Sequence, residues 1–77
     1  MIEAKYLNPI KNFQSSGVKT VGDYTYVLLI SLDGQVLIER VKSDNSEIKF
    51  AKKPSATSIE TFWEDPTVHT YDWINKI

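Results

Sequence analysis

The sequence predicts a mainly β domain of α+β type. An antiparallel three-stranded meander is followed by a short helix and a final strand, arranged as a small barrel or an open sheet. Three observations carry the prediction. Residues 24 to 50 hold three runs rich in aromatic and β-branched residues, the types that fit a pleated, half-buried surface. Asp33-Gly34 and Asp44-Asn45 punctuate them, and Asp-Gly between apolar runs is a strong hairpin signal. After Phe50 the pattern changes to a proline loop, a capping signal and an aromatic cluster.

The chain divides into an N-terminal arm, residues 1 to 22, and one small β-rich domain, residues 23 to 77. In the arm, Pro9, Gly17 and Gly22 interrupt any long element. Asn12 to Gly17 reads as loop, with one short strand around Lys19 to Val21. Ile2, Tyr6, Leu7, Ile10 and Phe13 are apolar enough to pack on the sheet or on another subunit.

The first meander strand spans Tyr24 to Leu32. A two-residue turn at Asp33-Gly34 would pair Leu32 with Gln35, Ile30 with Leu37, Leu28 with Glu39 and Tyr26 with Val41. A turn centred on Asp44-Asn45 would pair Lys42 with Glu47, Val41 with Ile48 and Arg40 with Lys49. Alternation then sorts the side chains into two faces. Tyr24, Tyr26, Leu28, Ile30, Leu32, Leu37, Val41, Ile48 and Phe50 form the expected core face, with Glu39 as its charged member. Val27, Leu29, Val36 and Ile38 form a half-apolar outer face, bordered by Thr25, Ser31, Arg40, Lys42, Glu47 and Lys49. Such a face invites a cover: the arm, the C-terminal segment or a partner.

Beyond the loop Lys52-Lys53-Pro54-Ser55-Ala56, Thr57-x-x-Glu60 matches a capping box. A helix from Ser58 to about Glu64 follows, with Ile59, Phe62 and Trp63 on one side and Pro66 as its stop. Thr67 to Ile74 reads as the closing strand.

Composition narrows the function. The chain has 77 residues, no cysteine, one histidine and a net charge of −1. No thiolate is available for a metal or a disulfide, and one histidine cannot build a zinc site. No cofactor is expected. A domain this short has a limited core, so oligomerisation or a partner is a common support. No apolar run is long enough for a membrane helix, and the first residues lack the apolar core of a signal peptide.

No nucleophile lies beside His69, so catalysis is not expected. Glu60 and Glu64 would share a helix face, where a solvated pair is the ordinary reading. Arg40, Lys42, Lys49, Lys52 and Lys53 form a candidate basic patch. A nucleic-acid-binding β-barrel would need exposed aromatics beside them, and the expected register turns Tyr24, Tyr26 and Phe50 to the opposite face. Nucleic acid is therefore the minor reading, and lysines that protect sheet edges the plainer one. Trp63, Tyr71 and Trp73 read equally as core closure or as interface anchors. With Val27, Leu29, Val36 and Ile38 they make the candidate interface.

The run Tyr24-x-Tyr26, Asp33-Gly34, Ile38-x-Arg40, Phe50-Ala51, Phe62-Trp63 and Thr70-Tyr71 resembles small virion-associated and accessory proteins of tailed bacteriophages. In those a meander is followed by a tryptophan-containing segment and a closing strand. The resemblance spans residues 24 to 71 and implies a non-enzymatic structural or interaction role, in the virion or the host cytoplasm. It carries over no site residue. The expected function is docking on a protein partner or self-association as a homo-oligomer. The alternatives are a phage-encoded inhibitor of a host protein and a small nucleic-acid-binding β-barrel.

Overall fold

The computed structural model describes residues 13–74. The chain forms one open antiparallel sheet in the order β1-β2-β3-β4. The strands are β1 (Phe13–Val21), β2 (Tyr24–Ser31), β3 (Val36–Lys42) and β4 (Ile48–Lys52). A short helix, α1 (Ile59–Glu64), and a 3-10 turn (Pro66–Val68) follow.

β1 contains the short strand expected around Lys19 to Val21 and extends it back to Phe13. The expected loop at Asn12 to Gly17 is, from Phe13 onward, strand. Its polar composition hides it, since Gln14, Ser15, Ser16 and Thr20 show no apolar alternation. Pairing with β2 makes it a strand, through a two-residue loop at Gly22-Asp23 that closes on Val21↔Tyr24. Gly22 has φ 59° while Asp23 has no positive φ, the pattern of a type II′ turn with glycine first. A bulge between Ser15 and Gly17 interrupts the ladder. The apolar residues Ile2, Tyr6, Leu7 and Ile10 lie outside the described residues.

The β2–β3 register corrects the expectation by one residue. Tyr26 pairs with Arg40, Leu28 with Ile38, Leu29 with Leu37 and Ile30 with Val36. The loop holds three residues rather than two. Ser31 N–H donates to the Gln35 carbonyl (2.9 Å), and Gly34 N–H donates to the Ser31 carbonyl (3.2 Å). Gly34 takes φ 92°, the left-handed residue that ends a three-residue hairpin loop. Because side chains alternate, this slip moves all of β3 to the other face relative to β2. The β3–β4 register is as expected, with Val41↔Ile48 and Arg40↔Lys49. There Lys42 N–H donates to the Glu47 carbonyl (3.0 Å), and Asn45 supplies the positive φ, 62°.

The sheet therefore has two differently furnished faces. One carries the main core: Tyr26, Leu28, Val36, Ile38, Ala51, Phe62 and Tyr71, with Tyr24, Ile30 and Trp63 packed on it. The other carries Leu29, Leu37 and Phe50, ringed by Phe13, Val27, Ile48 and Ile74. Val36 and Ile38, expected on the outer face with Val27 and Leu29, lie on the main core face; Ile38 is fully buried. Leu37 and Val41 go the other way, and Leu32, expected in the core, stands at the hairpin tip, 85% exposed.

α1 covers the main core face by inserting Phe62. Its N-cap is Ser58 rather than the expected Thr57: the Ser58 Oγ accepts from Thr61 N–H at 3.1 Å. The expected strand at Thr67 to Ile74 is not one. Asp65 caps the 3-10 turn by accepting from Thr67 N–H (3.1 Å), and Pro66 starts it. Only one β-bridge remains, Phe50↔Asp72, made by two backbone hydrogen bonds of 2.7 and 2.9 Å. That bridge lays residues 71 to 74 along β4, with Tyr71 in the main cluster and Ile74 in the second.

Candidate functional site

The corrected register assembles a site that the expected one had split. Lys19↔Tyr26, Tyr26↔Arg40 and Arg40↔Lys49 are partners on successive strands. These side chains form one transverse row across β1 to β4, on the face that also holds Tyr24, Trp63 and Tyr71. Neighbouring strands stand about 4.8 Å apart, so the row spans about 14 Å.

Each cation in the row meets a ring. The Arg40 guanidinium lies 4.5 Å from the Tyr24 centroid and 4.7 Å from that of Tyr71. Lys49 Nζ stands 5.1 Å from a Trp73 ring centroid, and Lys19 Nζ 4.7 Å from that of Trp63. Such contacts strengthen when desolvated. Tyr26 tilts against both neighbours, its centroid 6.3 Å from Tyr24 and 5.7 Å from Tyr71. The row is ordered by its own side chains before any ligand arrives.

Its members differ in availability. Lys19 is engaged: its ammonium donates to the Trp63 carbonyl (2.6 Å) and the Glu64 carbonyl (3.1 Å), capping the last turn of α1. Tyr71 is core, with its hydroxyl donating to the Pro66 carbonyl at 2.6 Å; burial pushes its phenol pKa up. Trp73 is 46% exposed and Tyr24, Arg40 and Lys49 are half-buried. The accessible end is thus Tyr24, Arg40, Lys49 and Trp73, with Lys42 across from Tyr24.

Of the candidate interface, Leu29, Val36, Ile38 and Tyr71 are buried in the two clusters and cannot serve as a surface; Val27 and Trp63 are half-buried, and Trp73 alone is open. Of the basic patch, Arg40, Lys42 and Lys49 share the aromatic face. Lys52 falls on the opposite face beside Leu37, and Lys53 turns inward to donate to the Pro54 and Thr57 carbonyls at 3.1 and 2.7 Å. The missed features are the first half of β1 and the joining of cations to aromatics. The second depends on the β2–β3 loop length, for which the Leu32-Asp33-Gly34 triplet is the available signal.

Carboxylates balance the row. Glu47 Oε1 lies 3.9 Å from Lys49 Nζ. Asp23 and Asp44 sit in the turns at the same end of the sheet. Hydrogen bonds from Ser46 hold the Asp44 carboxyl below its ordinary pKa.

His69 is tied to structure. Its Nε2 is 2.7 Å from the Phe62 carbonyl, and its ring stacks 4.6 Å from the Phe62 ring. Among the described residues, no three His, Asp or Glu side chains gather in a metal-ligating group. Clefts of about 420 and 330 Å³ flank the β2–β3 hairpin at the far end of the strands. Ser31 and Asp33 in the first are hydrogen-bonded to each other, which holds Asp33 below its ordinary pKa. No family model, curated protein or solved structure matches the chain.

Proposed function

We propose that this chain is a non-enzymatic interaction module that docks on a protein partner through the accessible end of the cation–aromatic row. The observation that carries the reading is the shared face: Tyr24, Arg40, Lys49 and Trp73 stand side by side, already stacked. Trp, Tyr and Arg are the residues that dominate protein interfaces, and side chains ordered in advance lose less entropy on binding. The fitting partner surface offers a slot for the Trp73 indole and carbonyl or carboxylate acceptors for Arg40. The resemblance to virion-associated and accessory phage proteins agrees with a docking role and suggests a virion protein or a host protein as the partner.

The experiment immobilises the whole chain and exposes it separately to purified particles and to host lysate. A virion component retains a particle protein, whereas an inhibitor retains one host protein. In either case Trp73→Ala and Arg40→Ala should reduce retention at least about tenfold, a loss of about 1.4 kcal/mol each. Retention unchanged in both variants sinks the reading.

Single-stranded nucleic acid is the second reading, and the register favours it more than the sequence did, because cations and rings share a face. Asp44 and Glu47 offset Lys42 and Lys49, so the basic excess that steers a phosphate backbone is reduced. A labelled oligonucleotide decides it: binding at low salt that weakens steeply as salt rises would favour nucleic acid over protein.

A further inference from the structure

We propose that residues 1–12 of this chain form the second layer over the Leu29, Leu37 and Phe50 face of the sheet, laid across it as an intrachain strap. The inference concerns the face opposite the docking row and stands independently of that reading.

The burial of this face calls for a cover that the described elements do not provide. Leu29, Leu37 and Phe50 are buried, none of them more than 7% exposed. α1 and Tyr71 pack on the opposite face. The described neighbours of the cluster are Phe13, Val27 and Ile48, which belong to the sheet itself, and Ile74 beside β4. Side chains of one sheet stand next to each other, and a sheet face is closed by a second layer about 10 Å away. Val18 shows what the uncovered sheet does: it is the partner of Val27 on the same face, and it is 62% exposed.

Two stretches of the chain are free to supply that layer, residues 1–12 and 75–77. Asn75-Lys76-Ile77 brings one large apolar side chain, whereas Ile2, Tyr6, Leu7 and Ile10 bring four. The point of attachment also selects the first. Phe13, next to residue 12, already packs in this cluster at the β1 edge. Residues 1–12 reach about 40 Å when extended, and four strands measure about 14 Å across, so the stretch is long enough to cross from β1 to β4. Tethering raises its effective concentration to about a millimolar, which favours it over a second copy or a separate chain. Charge fits as well. Glu39 pairs with Val27 and Phe50, which places it on this face, buried and not without a partner. A buried carboxylate is stable beside a cation or a donor, and the stretch carries Lys5 and Lys11.

Methyl NOE spectroscopy on the full chain tests it. Ile2, Leu7 and Ile10 should show NOEs to Leu29, Leu37 and Ile48, and none to Val36 or Ile38 on the main core face. A mixture of isotope-labelled and unlabelled chains assigns these contacts. NOEs within one chain support the strap; NOEs between chains overturn it in favour of a second copy, and their absence overturns it outright. The paired variant Leu7→Ser with Ile10→Ser should uncover the face and bind an apolar fluorescent dye several-fold more strongly than wild type. Asn8→Ser, which changes a polar residue of the same stretch, should leave dye binding unchanged. Equal dye binding by the paired variant and wild type overturns the proposal, and the wild-type NOEs decide it even where the paired variant does not fold.

Discussion

Trp63 packs on the bare backbone of Gly17: a Cβ added there would stand 3.2 Å from the indole Nε1 and 3.3 Å from two ring carbons. The glycine is at the point where α1 crosses β1, and its missing side chain lets the helix sit down on the sheet. Alanine would reduce the entropy of the unfolded chain, a gain of about 0.4–1 kcal/mol, but crowds the indole. Overpacking of this kind costs about 1–3 kcal/mol, so the clash prevails. Gly17→Ala should be mildly destabilised and Gly17→Val clearly so, by about 2 kcal/mol in urea unfolding. A valine variant as stable as the wild type would remove the contact from the account.

Lys19 holds the same junction by charge. Its ammonium satisfies carbonyls at the end of α1, where the helix has no basic residue of its own in the last turn. Lys19→Met keeps the apolar stem over Trp63 and loses the charged donor. The expected loss is about 1–2 kcal/mol, the range for hydrogen bonds to a charged group and for a cation at a helix C-terminus. Equal stability of Lys19→Met and wild type, measured by chemical denaturation at low salt, would show the bonds to contribute nothing.

Tyr71→Phe isolates one buried hydroxyl. Without it the Pro66 carbonyl loses its 2.6 Å donor, a loss of about 1–2 kcal/mol. The same variant changes the alkaline limb. Burial raises the folded-state pKa of Tyr71, so this contribution is complete below the unfolded value near 10 and fades as pH rises past it. Wild type should therefore lose more stability than Tyr71→Phe between pH 9 and about 11. Parallel alkaline profiles for the two proteins would contradict this.

Asp65 gives the opposite sign. The Thr67 hydroxyl, with its amide, lowers the folded-state pKa of Asp65. Its contribution is present above the unfolded value near 3.9 and is lost as pH falls through the lower folded value. Asp65→Asn keeps an acceptor and removes the titration, so its urea midpoint should fall less than that of wild type between pH 5 and 3. Identical acid limbs would show that the 3-10 cap carries no acid-linked stability.

Gly34 tests the loop that decides the sheet. With φ 92° it occupies a conformation that costs an L-residue about 1–2 kcal/mol. Gly34→Val should lower stability by that amount or more, while the same change at Gly17 acts through packing. If Gly34→Val leaves the unfolding midpoint in place, the three-residue loop is not what sets the β2–β3 register.

Local sequence signals specify the mainly β class, the meander, the β3–β4 register and a short helix carrying Phe62 and Trp63. These rest on local signals: β-branched runs, turn residues, and an opposite-charge and an apolar pair that agree on one alignment of Lys42-Val41 with Glu47-Ile48. Tertiary structure decided the rest. Asp33-Gly34 is compatible with a two-residue and a three-residue loop, and one residue between them exchanges the faces of β3. That exchange buries Val36 and Ile38, brings Arg40 and Lys49 to the aromatics, and so creates the candidate site. β1 is polar and becomes a strand only because β2 offers it a ladder, and the C-terminal segment yields one bridge because Asp65 and Pro66 start a 3-10 turn first. The first of the three has a general physical reason. Strand faces have a period of two, so a choice of loop length too small to read from local propensity reverses the environment of every side chain that follows.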